Sequence, residues 1–364
     1  MKKYLILPLA LSSHFSIAAP YDAFLQASNF GDTLPPSSVT FSIDAVNDTI
    51  DFLNIRESEG ITDKSSGDYL GYNLAGYYQI DPQWSVEGSF WHREIDYSKD
   101  TNDLQSALLA VRFLPNLPLD KNDQLAIRAS IWGNTADQLT KSTPTLANGY
   151  LFNRIDVKNP EDIQFQVDAI FSRKLDFMNQ INGFASLGYS KVSVDRLDTQ
   201  AKYKGCDMDL VIQSDNSYTG HLNKPCSAGG LLIEELNIQG NANEYGLDVA
   251  KDLNYDAYYA SFGGSWNWRY QQFESQIAYQ YQRLWRKDID DRVSNFGNSP
   301  IKDNHTLGGK FSYHFHPQFT AFVRGEIYQH NLIGYVPFLY NGVTASRLDK
   351  RYGLASLGIQ FHSF

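Results

Sequence analysis

Arg93, Arg112, Arg128, Asp168, Glu274, Lys310, Arg324 and Glu326 each sit one position out of step with a run of apolar residues. Arg112 stands between Val111 and Phe113, Arg128 between Ile127 and Ala129, Asp168 between Val167 and Ala169, and Arg324 between Val323 and Gly325. Successive side chains of an extended chain point to opposite faces, so these charges share a face that the apolar residues avoid. Across an enclosed, water-filled space such charges set a transverse field that selects among small ions and polar solutes. The same charges could instead pair with one another and fill a closed interior. The residues alone leave both readings open, and all eight are candidate pore-lining groups.

Catalytic chemistry has weaker support. A lipase needs a Ser and a His in contact with a polar orienting group, and the apolar faces offer no such pair. Asp207 with Asp209, and Asp288, Asp290 and Asp291, could supply the carboxylates of a rim protease, but acidic runs in polar loops ordinarily serve solvation. His314 and His362 fall on the charged face, with His316 at a turn; they read as wall residues. No catalytic residue, metal or cofactor is expected.

Cys206 and Cys226 are the only cysteines, and in an exported chain they are expected to form a disulfide. Closing that loop restricts the unfolded chain by roughly 3 kcal/mol. In the same loop Leu231, Leu232 and Ile233 form an apolar run. Local packing beneath the tied loop is the expectation, with insertion into a barrel mouth as the alternative.

Strands must position these residues. Aromatics make up 14% of the 364 residues, with 23 Tyr and 22 Phe, and 26 Gly stand against 3 Met and 2 Cys, a bias toward strands, turns and aromatic girdles. A period of two runs through Val39 to Ala45, Leu70 to Ile80, Trp84 to Arg93, Ala107 to Phe113 and Leu125 to Ile131. It continues through Ile163 to Phe171, Ala185 to Tyr189, Tyr258 to Trp268, Phe273 to Tyr281, Leu307 to Phe315, Phe319 to Ile327 and the last stretch from Arg351. The apolar faces carry no charge across their middles. Short turns are expected at Asp81, Pro115, Asp176, Arg269 and Pro317. Long loops are expected at Glu57 to Asp68, Tyr97 to Asp103, Asn134 to Asp162, Asp195 to Asn254, Lys287 to Asn304 and Asn331 to Lys350. The fold class expected is all-β, a transmembrane antiparallel up-and-down β-barrel of about 12 strands.

The ends frame that barrel. Lys2 and Lys3, the apolar run Tyr4 to Leu11, and Ser16-Ile17-Ala18 read as a secretory signal over residues 1–18. Residues 19–38, broken by Pro35-Pro36, are expected to be a loose periplasmic lead, with a plug in the lumen as the alternative. Residues 39–364 form the barrel, with 195–254 its longest external loop, and no passenger domain is expected ahead of Val39. A formal net charge of -10 argues against nucleic acid as a partner.

In the final stretch Ala355, Leu357, Ile359 and Phe361 alternate with Ser356, Gly358, Gln360 and His362, and the chain closes on Phe364. This stretch resembles the last strand of Gram-negative outer-membrane β-barrels, whether porin-like or of the solitary autotransporter type. The resemblance implies an assembly signal in Leu357, Ile359, Phe361 and Phe364 that the barrel-assembly machinery reads. It also implies residence in the cell outer membrane, with lipid and lipopolysaccharide as neighbours. Phe364 is out of phase with Phe361, so either a bulge at His362 to Ser363 restores it or the last residues form a tail. The function expected is a narrow passive channel for small hydrophilic solutes. A non-conducting structural or interaction barrel is the alternative, and an outer-membrane barrel enzyme the third reading.

Overall fold

A computed structural model describes residues 22–27, 36–61, 66–147, 150–203, 205–342 and 344–363. The signal segment 1–18 and Phe364 lie outside these residues. Among the described residues twelve strands close into an antiparallel barrel: β1 (Ser37–Val46), β2 (Ser66–Gln79), β3 (Trp84–Tyr97), β4 (Asp100–Phe113), β5 (Asp123–Thr135), β6 (Glu161–Lys174), β7 (Asn179–Ser193), β8 (Tyr255–Tyr270), β9 (Phe273–Arg286), β10 (Asp303–His316), β11 (Phe319–Tyr328) and β12 (Tyr352–His362). Closure comes from β1 against β12, with Phe41 opposite Ile359 and Ile43 opposite Leu357. The register runs unbroken to His362, which faces Ser38.

Alternation along each strand separates two environments. Leu187 and Leu357 are 70% and 64% exposed, and Phe41, Phe90, Leu109, Val167 and Ile277 are likewise open, while Arg112, Arg128, Asp168 and Gln280 point inward and are buried. Each large apolar side chain left in water forgoes about 1.5–3 kcal/mol of burial. A belt of them around a closed barrel is therefore built to stand in lipid, where every backbone group must be bonded internally.

One expected loop is absent. Polar residues suggested a long connection from Tyr97 to Asp103, but β3 and β4 continue through it. Asp96 faces Thr101, Tyr97 faces Asp100, and only Ser98 and Lys99 form the turn, with Ser98 at a φ of 65°. Polar side chains here stand on strands that extend past the apolar belt: Thr101 and Asp103 face outward, while Asp100 and Asn102 are buried and accept from the Ser142 and Thr140 amides.

The two longest loops are largely ordered. Their strands join into one sheet outside the barrel, in the order Asn237–Asn241, Ser217–Leu222, Cys206–Gln213, Arg196–Tyr203, Tyr150–Lys158, Gln138–Lys141, with Thr145–Ala147 added beside Tyr150–Lys158. The link between the loops is the pairing of Leu197 with Val157 and its neighbours. Leu139, Ile155, Val157, Leu197 and Ile212 bury their side chains in a cluster shared with Leu253 and Leu339. A separate hairpin, Cys226–Ala228 against Leu231–Ile233, turns at Gly229 and Gly230, both at positive φ. Leu231 and Leu232 are 72% and 69% exposed, so the apolar run neither packs beneath the loop nor enters the barrel. Its two strands pair only with each other among the described residues.

The lead also departs from expectation. Asp22 through Ala27 is buried inside the barrel and does not hang loose in the periplasm. Its polar atoms match bonding groups on the wall, and that match offsets the cost of enclosing them.

Candidate functional site: the closed lumen

The lumen is built first from paired charges. The Arg128 guanidinium on β5 lies 2.9 Å from Glu87 on β3 and 3.0 Å from Asp168 on β6. Glu87 also meets Arg112 of β4 at 2.6 Å, and all four side chains are buried. Two guanidinium groups thus neutralise two carboxylates. Removing one partner from such a set leaves a buried charge poorly compensated, which costs far more than burying the complete set. Glu87 was not among the expected pore-lining groups. Its place two residues after Ser85 and six before Arg93, on the same face, was the available signal.

Spare bonding capacity in this wall holds the N-terminal segment. Arg112 donates to the Gln26 carbonyl oxygen at 2.7 Å, Asn267 donates to Gln26 Oε1 at 2.7 Å, and the Ala27 amide donates to Ser172 Oγ at 2.9 Å. Across the lumen Arg324 pairs with Glu326 at 2.6 Å and approaches Asp22 at 3.5 Å. The same guanidinium lies 4.6 Å from the centre of the Phe24 ring, a cation–π contact. Phe24 is seated directly over Gly308, where any Cβ would stand 2.5 Å from the ring. Gly308 therefore leaves the space that the Phe24 ring fills.

The outer end is closed by the loop after β11. Leu332, Ile333, Val336, Phe338, Leu339 and Tyr340 are buried in the mouth. The Tyr335 carbonyl accepts hydrogen bonds from Trp132 Nε1 at 3.2 Å and Asn134 at 3.3 Å, and the Phe338 amide donates to Asp162 at 3.3 Å. Tyr255 donates its hydroxyl to the Pro337 carbonyl at 2.6 Å. Arg93 is enclosed by aromatic rings, 5.2 Å from Trp91, 5.7 Å from Trp132 and 5.4 Å from Tyr335, and it donates to Ser106. His330 enters this loop with its amide bonded to Asn304 and its ring nitrogen 3.2 Å from Asp349. Burial pushes the His330 imidazole below its ordinary value, against the opposing pull of Asp349.

A cavity of about 50 Å³ remains in the lumen, lined by Asp44, Arg93, Lys310, Arg324, Glu326 and Tyr335 among others. That is room for a few waters. Lys310 faces it with its ammonium 4.7 Å from the Phe322 ring, and Glu274 lies 3.7 Å from His314. All eight expected charges face the interior. His362 is buried there as well. Three of the five rim acids are tied into local structure: Asp207 meets Lys224 at 3.3 Å, Asp209 accepts from Asn223 at 3.0 Å, and Asp290 accepts from the Tyr340 hydroxyl at 3.0 Å, while Asp288 and Asp291 are exposed. Cys206 and Cys226 are joined in a disulfide.

No protein-family model matches the chain, and no curated protein matches it. Solved barrels are similar in form. The translocator domain of the autotransporter NalP from Neisseria meningitidis is 7% identical, over 91% of this chain and 90% of that one, at a TM-score of 0.47. The beta domain of the Bordetella autotransporter BrkA is 9% identical over 90% and 98%, at 0.42, and the NanC porin is 10% identical over 89% and 98%, at 0.41. Nothing about solute or partner transfers across such distances.

Proposed function

We propose that this chain is an outer-membrane barrel closed to free diffusion of solutes, which anchors its external sheet as the working surface. The observation that carries this reading is the double closure of the lumen, by Asp22 to Ala27 within the wall and by Leu332 to Tyr340 in the mouth. Each segment is held by hydrogen bonds to buried wall groups, and the cavity beside Arg93 and Lys310, about 50 Å³, has room for a few waters. The lipid-facing belt and the terminal strand support the outer membrane as its location. The open narrow channel suggested by the wall charges gives way to this reading because those charges are largely spent on one another and on the inserted segment.

A gated channel is the second reading, favoured by the polar character of the wall around the inserted segment. Planar-bilayer recording of the refolded full chain tests both. The closed barrel predicts no steady current steps at any salt concentration, whereas a variant lacking residues 22–27 and 332–340 conducts. Steady steps from the unaltered chain would overturn the proposal.

A further inference from the structure

The external sheet ends in a strand, Asn237–Asn241, that pairs on one side only among the described residues. The Leu222 amide bonds to the Leu236 carbonyl, and the Ala242 amide to the Asn216 carbonyl. Bonded pairs recur every second residue in an antiparallel ladder, so Ile238 and Gly240 spend their backbone groups on the neighbouring strand. Asn237, Gln239 and Asn241 turn theirs outward. The strand reads Asn-Ile-Gln-Gly-Asn and has no lysine, proline or bulge, the devices that ordinarily blunt a free edge.

Beside this edge lies a cavity of about 450 Å³, bordered by Ile238 of the edge strand and by Met208, Leu210, Ile212, Tyr218 and Leu247. Its size is in the range of ligand-binding pockets, roughly 300–1,000 Å³. An unpaired edge supplies backbone bonds, and an apolar pocket on one face of it takes alternate side chains of an added strand. Charge then limits the occupant. Glu234 and Glu235 precede the strand and Glu244 follows it, all exposed; of the nearby cations Lys224 is engaged by Asp207, and the exposed Lys202 borders the cavity, so three acids at the strand's ends outnumber one unengaged lysine.

We infer that this edge binds an extended peptide segment of a partner protein, added as a further strand, with alternate apolar side chains in the pocket and lysine or arginine at its ends. A second copy of this chain is the poorer occupant. Antiparallel pairing of two such edges about Gln239 would bring the acidic flank of one copy, Glu234 and Glu235, toward Glu244 of the other, and like charges brought together repel. The inference rests on the external sheet being the working surface. Bilayer recording interrogates the lumen and peptide binding interrogates the edge, so failure of either is recognised separately.

The test uses the full chain refolded in detergent and a dye-labelled peptide of alternating valine and threonine with a lysine at each end, followed by fluorescence anisotropy. Saturable binding is expected. Methylating alternate backbone nitrogens on the bonding side of the peptide, or exchanging its terminal lysines for glutamates, is expected to weaken binding about tenfold or more, a step of about 1.4 kcal/mol. Gln239→Pro should weaken it similarly, because that amide points away from the neighbouring strand and its loss leaves the sheet intact. Absence of binding by the unmodified peptide, or equal binding of the methylated one, would overturn the inference. So would dimerisation of the free protein that Gln239→Pro abolishes, since the edge would then belong to a second copy.

Discussion

Inside the barrel, Arg128 lies between Glu87 and Asp168, and Arg112 passes from Glu87 to the backbone of Gln26. In the external sheet, by contrast, Gln239 turns outward a backbone that no strand pairs with among the described residues, and Ile238 borders an apolar space of about 450 Å³. The first region pairs its charges within the chain; the second leaves both backbone and apolar groups available. An enclosed charge has no water to fall back on and must find a protein partner. An edge strand above the membrane has water for its amides, so it can remain unpaired until a partner strand displaces that water.

The comparison breaks most severely at Arg128. Arg128→Ala leaves Asp168 in the wall without its cation and Glu87 with Arg112 alone, and should destabilise the barrel by about 3–5 kcal/mol, read as a lower urea midpoint for unfolding in micelles. An unchanged midpoint would show that water reaches the site. Cutting the tie in the outer region should have a more local effect. Cys226→Ser is expected to speed amide exchange across residues 206–233, with a cost there of up to about 3 kcal/mol, while exchange in β1 to β12 stays as it was.

Gly308→Ala sharpens the contrast from within. The added methyl collides with the Phe24 ring, at a cost of about 1–3 kcal/mol. Release of the segment should make a cysteine placed at the buried Ala23, which leaves the Phe24 ring in place, react with a periplasmic thiol reagent. The smallest effect expected is from pH. His330 is held neutral by burial, so its folded value lies below the ordinary 6.5. Protonation therefore favours the released loop, and closure of the mouth is firmest above that value and weakens as pH falls below it. Fluorescence of Trp132 against Tyr335 should report the loosening, and His330→Gln should flatten the response.

Much of the barrel was legible because its physics is local. Alternation of Leu307, Phe311 and Phe315 with Lys310, Ser312 and His314 assigns faces without knowledge of any neighbour, and all twelve strands lie where that period runs. The β3–β4 turn was misread because Asp96, Thr101 and Asn102 look like loop residues, though beyond the lipid belt a strand can be polar on both faces. Cys206 and Cys226 were paired by export chemistry, with no other cysteine to choose. The contents of the lumen were not legible. Asp22, Phe24 and Gln26 have no periodicity, and their meaning depends on Arg324, Gly308 and Asn267, hundreds of residues away.

The sequence by itself determined which residues face lipid and which face the interior, since a side-chain period of two is a property of each strand alone. Tertiary structure decided what the interior holds and what the exterior leaves unpaired. Whether Arg112 lines a bore or grips Gln26, and whether the strand of Gln239 lies within the sheet or at its edge, depends on which distant segments meet them in space.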